Sequence, residues 1–158
     1  MDFKKIMMKV PRTSVYIQEG YHVWGASVAK AKDGLYYMLY SRWPDKLGHE
    51  AWVSHSEIAC AVSKSPLGPF EYKCVVLSGR GKGYWDGSSI HNPTIIESEG
   101  KFYLYYMGTN GLSSFEGQPT SENINWWEYR NNQRVGVAVA DHPRGPWTRF
   151  DNPIIDVS

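Results

Sequence analysis

Hydrophobic and aromatic residues occur along the chain in short runs that are separated by turn sequences. No window repeats them with the spacing of an amphipathic helix. The runs are rich in β-branched, aromatic and small residues, which favour strands. They fall at residues 26–31, 35–41, 57–63, 70–77, 94–97, 101–107, 134–140 and 147–155. The pattern therefore predicts a chain that is nearly all β.

The sequence contains the same pattern of predicted strands and turns twice. DGLYYMLY, at residues 33–40, matches EGKFYLYY at 99–106, an offset of 66 residues. IACAVSKSPLGPF, at 58–70, matches VGVAVADHPRGPW at 135–147, an offset of 77 residues. The offsets differ by eleven residues, so the second copy contains an insertion between its two matched segments. Each copy holds four of the predicted strands.

Four-stranded antiparallel units in tandem are the blades of a β-propeller, in which each blade buries its faces against its neighbours. The repeat therefore predicts a single partial propeller domain. A segment at 1–20 precedes a first blade at 21–77, and a second blade follows at 78–158 with an insertion near 109–132. The small-residue runs IACAV and VGVAV fit strands that pack tightly between blades.

Two blades are too few to close a propeller, which has about four to eight. An isolated pair would leave apolar faces and a strand edge open to water. Two arrangements cover them: the chain is a fragment of a longer protein, or several copies associate. The ending DNPIIDVS stops where a third copy would begin, which favours the fragment.

The connections between the predicted strands differ in length at the two ends of the blades. One end has only tight turns, at 32–34 and 98–100 and at the two Gly-Pro sequences. The other end has the long segments 42–55, 78–92 and 109–132, which carry most of the histidines and tryptophans. Loops of this length in a compact domain are usually functional or disordered. We therefore expect any site to lie at the end that carries the long segments.

Charge excludes two classes of partner. The 17 basic and 16 acidic residues give a net charge of +1, which provides no electrostatic footprint for nucleic acid or an anionic membrane. No stretch approaches the roughly 20 apolar residues of a membrane helix.

The first twelve residues lack the features of a secretory signal, so the sequence as written predicts a cytoplasmic protein. A missing authentic N-terminus would instead allow a periplasmic or secreted one.

The cysteines and the aromatic residues add detail to the predicted fold. Cys60 and Cys74 are equidistant from Leu67, in the middle of a Pro-Gly turn, so we expect them to face each other across a hairpin. They form either a geometrically demanding disulfide or two small buried thiols, and the thiols are favoured. Aromatic residues make up 15% of the chain, which indicates a stacked β core, an aromatic-lined pocket, or both.

The blade pattern NPTIIESEGKFYLYYMG and the closing sequences AVSKSPLGPF and AVADHPRGPW resemble those of the five-bladed propeller glycosidases, which include glycoside hydrolase families 32, 43, 62, 68 and 117. The resemblance covers the chain from about Tyr21 onward. It implies hydrolysis of an O-glycosidic bond in a poly- or oligosaccharide at the propeller axis. Two carboxyl groups are needed there, one to protonate the leaving oxygen and one to attack or activate water.

The sequence departs from the family pattern at the inner strands. Relatives often open the first blade with Asp-Pro, whereas HVWGAS at 22–27 contains no carboxylate. Asn92 stands at a position suited to an Asp, and the blades expected to carry the orienting Asp and the Glu acid are absent. The resemblance thus implies a glycosidase in its full-length form and an inactive isolated fragment. The alternative is a non-catalytic carbohydrate-binding or scaffold module that oligomerisation completes.

Three residues are the catalytic candidates. His22 and His91 precede inner strands, where a neutral imidazole binds a sugar hydroxyl or carries a proton. Their alternative role is a hydrogen bond to loop backbone. Asp86, in YWDG, is the carboxylate best placed at the same end, although Asp before Gly is also common in turns.

The substrate-binding candidates flank the same opening. Arg42 suits a sugar carboxylate, and Trp43 suits stacking on a pyranose ring, with loop packing as the alternative. Glu57 and Arg134 begin third strands, where a salt bridge between blades is at least as good an interpretation as substrate contact. The set comprises Trp24, Arg42, Trp43, His55, Glu57, Asn92 and Arg134.

No motif supports zinc, nucleotide or serine-hydrolase chemistry. GRGKG, at 79–83, is rich in glycine but does not open a helix, which argues against phosphate binding. Some propeller relatives hold a structural cation at the axis, and nothing in this sequence identifies ligands for one. A carbohydrate is therefore the expected partner, and no cofactor is expected.

Overall fold

Two antiparallel sheets of four strands follow one another along the chain in the computed structural model, which describes residues 7, 9–111 and 115–157. Parts of the predicted N-terminal segment and insertion, at 1–6, 8 and 112–114, lie outside the described residues, as does 158. The first sheet contains β1 (Tyr21–Lys30), β2 (Tyr36–Pro44), β3 (Glu57–Ser63) and β4 (Glu71–Leu77). The second contains β5 (Ser89–Ser98), β6 (Lys101–Thr109), β7 (Gln133–Ala140) and β8 (Thr148–Arg149).

Within each sheet every strand pairs with the next one in sequence, which is the up-and-down order of a propeller blade. The prediction of two four-stranded blades is confirmed. The strand β3 has the predicted bounds, whereas β8 is shorter than predicted and is continued only by a single bridge between Val135 and Ile155. The long connections meet at one end of the blades and the tight turns at the other.

The inner strand of each blade begins five residues before its predicted start. Each contains a bulge, between Trp24 and Ser27 in β1 and between His91 and Thr94 in β5. Each bulge places one residue in the left-handed region, Gly25 at a φ of 57° and Asn92 at 52°. Glycine enters this region without steric cost, and asparagine tolerates it better than most residues. A bulge interrupts the two-residue alternation, which hides the beginning of the strand in the sequence.

The second blade packs against the first through its inner strand, since β5 contacts β1, β2 and β3. Between the blades lies the main hydrophobic core, in which Leu39, Ile58, Ile90 and Leu104 are fully buried. Burial of apolar surface at this contact stabilises the pair by roughly 25 cal/mol per Å² removed from water. The outer face of the second blade remains exposed, and self-association that would cover it stays a prediction.

Hydroxyl groups of the first blade also bind the backbone of β5. The amide of Asn92 donates to Ser41 Oγ at 2.8 Å, and the amide of Ile95 donates to Ser27 Oγ at 3.1 Å. A buried amide left without a partner would cost about 1–3 kcal/mol. These bonds therefore fix the position of β5 along the strands of the first blade.

A second group of bonds closes the seam at the end where the long connections lie. Ser56 donates its amide to Ser89 Oγ at 3.1 Å, and Ser89 Oγ in turn donates to the carbonyl oxygen of Trp52 at 2.8 Å. The amide of Ile90 donates to the Ser56 carbonyl at 3.0 Å. The connection after β2 is thereby tied to the start of the second blade.

Two short helices interrupt the long connections, namely α1 (Trp52–His55) and α2 (Ile124–Asn131). Asn123 caps α2, its side chain accepting from the amide of Asn125 at 2.9 Å. Trp126 packs on Val53 and donates its indole N–H to the Glu50 carbonyl at 2.8 Å. The insertion therefore folds back onto the first blade. Within the described ranges, neither helix is long and apolar enough to span a membrane.

The two cysteines are cross-strand partners, as expected. Cys60 lies opposite Cys74 in the β3–β4 ladder, and both are free thiols. Burial raises the pKa of Cys60 to about 12, so its thiol stays protonated at neutral pH. The prediction of free thiols is confirmed, although only Cys60 is buried and Cys74 is half-buried.

Asp86 lies at the centre of a charge cluster in the second blade, with 0% of its surface exposed. Its Oδ1 accepts from Arg80 Nε at 2.6 Å, and its Oδ2 accepts from Tyr106 Oη at 2.7 Å and from Arg149 Nη1 at 3.3 Å. Burial, together with this bond, raises the pKa of Tyr106. The cluster ties the segment between the blades to β6 and β8.

Replacement of Asp86 by Ala should therefore destabilise the fold, because Arg149 would lose its carboxylate partner and Tyr106 its acceptor. Arg80 would keep only its pair with the exposed Asp151. We expect a loss of about 3–5 kcal/mol in the free energy of unfolding, measured by urea denaturation. The matched control is Asp141→Ala, which breaks an exposed pair with Lys101 and should change stability little. Equal effects of the two substitutions would contradict the structural role of Asp86.

Candidate functional site

A cavity of about 380 Å³ opens at the end of the blades where the long connections meet. Its walls come from the starts of β1 and β5, the ends of β2 and β6, the start of β7 and both helical connections. The lining residues are Trp24, Ser41, Trp43, His49, Trp52, His91, Asn92, Met107, Arg130 and Gln133. The expectation that a site would lie at this end matches the position of the cavity.

Tryptophan and histidine rings form one wall. Trp24 is 58% exposed and packs edge-on against His49, at 5.9 Å between ring centroids. Trp43 is only 2% exposed and donates its indole N–H to the Gly48 carbonyl at 3.2 Å. The face of Trp24 is therefore available to a ligand, whereas most of Trp43 is committed to packing.

The opposite wall contains a relay of hydrogen bonds with a defined direction. Gln133 donates its amide N–H to the Arg130 carbonyl oxygen at 2.7 Å, since a carbonyl can only accept. Gln133 Oε1 must then face His91, whose Nε2 lies 2.9 Å away and therefore carries the proton. The other nitrogen of His91, Nδ1, has no hydrogen-bond partner among the described residues.

His91 is held in the neutral form. It is 3% exposed and packs edge-on against Trp52 at 5.0 Å. Burial lowers the pKa of His91 to about 4, and the bond to Gln133 opposes this shift only in part. At neutral pH the imidazole is therefore uncharged, and its Nδ1 is buried.

Asn92 projects from the bulge between the two walls. Its side-chain amide donates to Met107 Sδ at 3.4 Å, and its backbone is fixed by Ser41. The residue remains exposed, so its carboxamide oxygen is accessible from the cavity. Asn92 thus adds a neutral polar group beside the exposed ring of Trp24.

Four of the ten candidates from the sequence line this cavity, namely Trp24, Trp43, His91 and Asn92. His22 lies just behind the wall, with its ring 5.4 Å from Trp43 and 5.8 Å from His49. The remaining five candidates lie elsewhere.

Arg42 and Glu57 are paired with each other inside the first blade. Arg42 Nη2 lies 2.8 Å from Glu57 Oε1, and the guanidinium is stacked between the rings of Tyr21 and Tyr72, at 4.2 and 4.7 Å. Arg42 and Glu57 thus have partners within the first blade, and neither lines the cavity. The roles in substrate binding that the sequence suggested for them stay predictions. Adjacent positions on neighbouring strands make the local pair geometrically easier than one between blades.

Three other candidates are also outside the cavity. Arg134 donates to Asp156 at 2.5 Å, His55 packs against Phe115, and Asp86 is sealed in its own charge cluster. Burial lowers the pKa of His55. Substrate contact by these three side chains from the cavity is not supported, because other groups of the fold occupy them or separate them from it.

The bulges define which positions of the two inner strands correspond. In position along the inner strand Trp24 corresponds to His91, and Gly25 corresponds to Asn92. His22 and His91 are therefore not equivalent, although each lies close to the cavity.

Six lining residues were not among the candidates from the sequence: Ser41, His49, Trp52, Met107, Arg130 and Gln133. His49 and Trp52 lie in the long segment 42–55, which the sequence placed at this end. Arg130 lies on α2, which is too short for its hydrophobic spacing to be recognised. Ser41, Met107 and Gln133 sit at strand ends and carry no motif. Among the described residues, no group of three or more His, Cys, Asp or Glu side chains could hold a metal ion.

Comparison with known proteins gave similarity at the level of structure. No protein-family model and no curated protein matches the sequence. A family 117 glycoside hydrolase of Zobellia galactanivorans, Zg3597, matches 82% of this chain with a TM-score of 0.60 and 24% identity, over 38% of its own length. The GH43_1 enzyme of Xanthomonas citri matches 87% of this chain with a TM-score of 0.59 and 21% identity, over 34% of its own length.

An endo-arabinase of Bacteroides thetaiotaomicron matches 94% of this chain, with a TM-score of 0.56, 16% identity and coverage of 39% of its own length. The chain thus spans between a third and two-fifths of the length of these three structures. The two blades, their strand order and these matches agree. The chain has the β-propeller fold of the family 43 and family 117 glycoside hydrolases.

Proposed function

We propose that these two blades bind a saccharide in the cavity, as part of a propeller of the glycoside hydrolase type. The observation that carries the proposal is the exposed face of Trp24 beside the neutral, exposed carboxamide of Asn92. A sugar ring presents an apolar face to an aromatic side chain and hydroxyl groups to polar ones. The cavity offers both within about 380 Å³.

The structural relatives support a saccharide ligand. The Xanthomonas citri GH43_1 enzyme has been crystallised in complex with xylotriose and with xylose. That enzyme is 21–22% identical to this chain in the two complexes. We therefore assign the ligand class by the chemistry of the cavity together with the fold, and leave the particular sugar to experiment.

The cavity supports binding rather than hydrolysis by these blades alone. Cleavage of a glycosidic bond requires two carboxyl groups on either side of it. No carboxylate is among the described residues that line the cavity, and the left-handed positions of the two bulges hold Gly25 and Asn92. In a catalytic propeller the acid and the base would come from other blades. A purely carbohydrate-binding module is the second candidate, and the uncharged bulges favour it.

Replacement of Trp24 by Ala should weaken saccharide binding by about tenfold or more, because stacking on its exposed face is lost. Isothermal titration with xylotriose and a panel of other oligosaccharides measures the effect. The fold should remain intact, since the ring is mostly exposed.

Phe150→Ala is the matched control, because it removes an aromatic ring that is 50% exposed and outside the cavity. This variant should bind as tightly as the unmodified protein. If Trp24→Ala leaves affinity unchanged for a sugar that the unmodified protein binds, the cavity is not the binding site.

The buried His91 should make stability depend on pH. Its folded pKa of about 4 lies below the ordinary value of about 6.5, so the unfolded chain binds the proton more readily. The associated stability is fully present above about pH 6.5 and is lost as the pH falls towards 4. Between pH 7.5 and 4.5 it contributes a loss on the order of 2–3 kcal/mol.

Urea denaturation at these two pH values, compared with His91→Gln, isolates the contribution. The variant should lose less stability on acidification than the unmodified protein. The same loss in both proteins would show that His91 is not held neutral by burial.

A further inference from the structure

We infer that the saccharide carries a carboxylate, as in a uronic acid, and that Arg130 binds it. The inference rests on the proposed function and names the substrate class of the same cavity. It starts from an imbalance of charge: the described lining contains one arginine and no Asp or Glu side chain.

Arg130 is fixed at the cavity by its backbone and by aromatic contacts. It lies in the last turn of α2, and its carbonyl accepts the bond from Gln133 that continues to His91. Its guanidinium lies over the rings of Trp126 and Trp127, at 5.9 and 5.5 Å from their centroids. Cation–π contacts of this kind orient the group without neutralising its charge.

The guanidinium of Arg130 has no partner of opposite charge in the part of the chain that the structure describes. In contrast, Arg42, Arg80, Arg134 and Arg149 each pair with a carboxylate. The fork of N–H donors on Arg130 therefore remains available, and its planar geometry matches the two oxygens of a carboxylate.

A nearby acidic side chain does not cancel this charge at the cavity wall. Glu50 lies in the connection before α1, but its carboxylate accepts from the Ser121 amide at 2.5 Å and from Ser121 Oγ at 3.1 Å. The other polar groups of the lining are hydroxyl, amide and imidazole groups. A neutral sugar would leave the arginine without an ionic partner, whereas a uronate would supply one.

Two matched pairs of saccharides test the inference by isothermal titration: trigalacturonate with its methyl ester, and glucuronic acid-substituted xylotriose with xylotriose. The acidic member of at least one pair should bind about tenfold or more tightly than its neutral partner. This preference should shrink when the salt concentration rises from about 0.02 to about 0.5 M. Arg130→Gln should abolish the preference for the acidic member over the neutral one.

Arg144→Gln is the control, because it removes the same charge from an exposed position in the tight turn at the opposite end of the second blade. It should retain the preference. If any saccharide binds but neither acidic member is preferred, or if the preference survives Arg130→Gln, the inference is overturned and the proposed function stands. If none of the four binds, the proposed function fails, and the inference fails with it.

Discussion

The arrangement of this chain depends on the hydrogen bonds that join the inner strand of the second blade to the first. An inner strand has a neighbour in its own sheet on only one side, so the amides that face the other blade need partners there. Ser41 and Ser27 supply them for Asn92 and Ile95. Because these bonds fix the relative height of the two strands, they also decide which residues meet at the cavity.

Near the cavity, Asp86 and Glu57 form ion pairs that stabilise the blades, whereas Arg130 has no such pair among the described residues. Asp86 and Glu57 were the acidic groups that the sequence placed at this end, and each is bound to arginine of its own blade. The ion pairs stabilise the blades and at the same time remove acid from the site. What remains is an aromatic cavity with neutral hydrogen-bonding groups and the cation of Arg130. Binding is therefore better supported by these blades than proton transfer.

Much of the fold could be predicted from the sequence, because each repeat consists of hydrophobic runs of strand length with distinct turn sequences between them. The candidate site could be predicted only in part. Trp24 and His91 were found because they lie close before recognisable strands, but the bulges at these positions concealed where the inner strands begin. Arg130 was not found, since two turns of helix give too short a pattern. Arg42 pairs with Glu57 because the register of β2 and β3 places them opposite each other. That register cannot be read from the residue types alone.

The two bulges restrict the side chains that the inner strands can present at the opening. Position 25 adopts nearly the same φ as Asn92, and a Cβ atom there would approach the Asn92 carboxamide no closer than 3.4 Å. The fold thus already tolerates a short polar side chain at one member of this pair and none at the other. Changes at these two positions should therefore be limited to the few residues that accept the left-handed conformation, such as glycine, asparagine and aspartate.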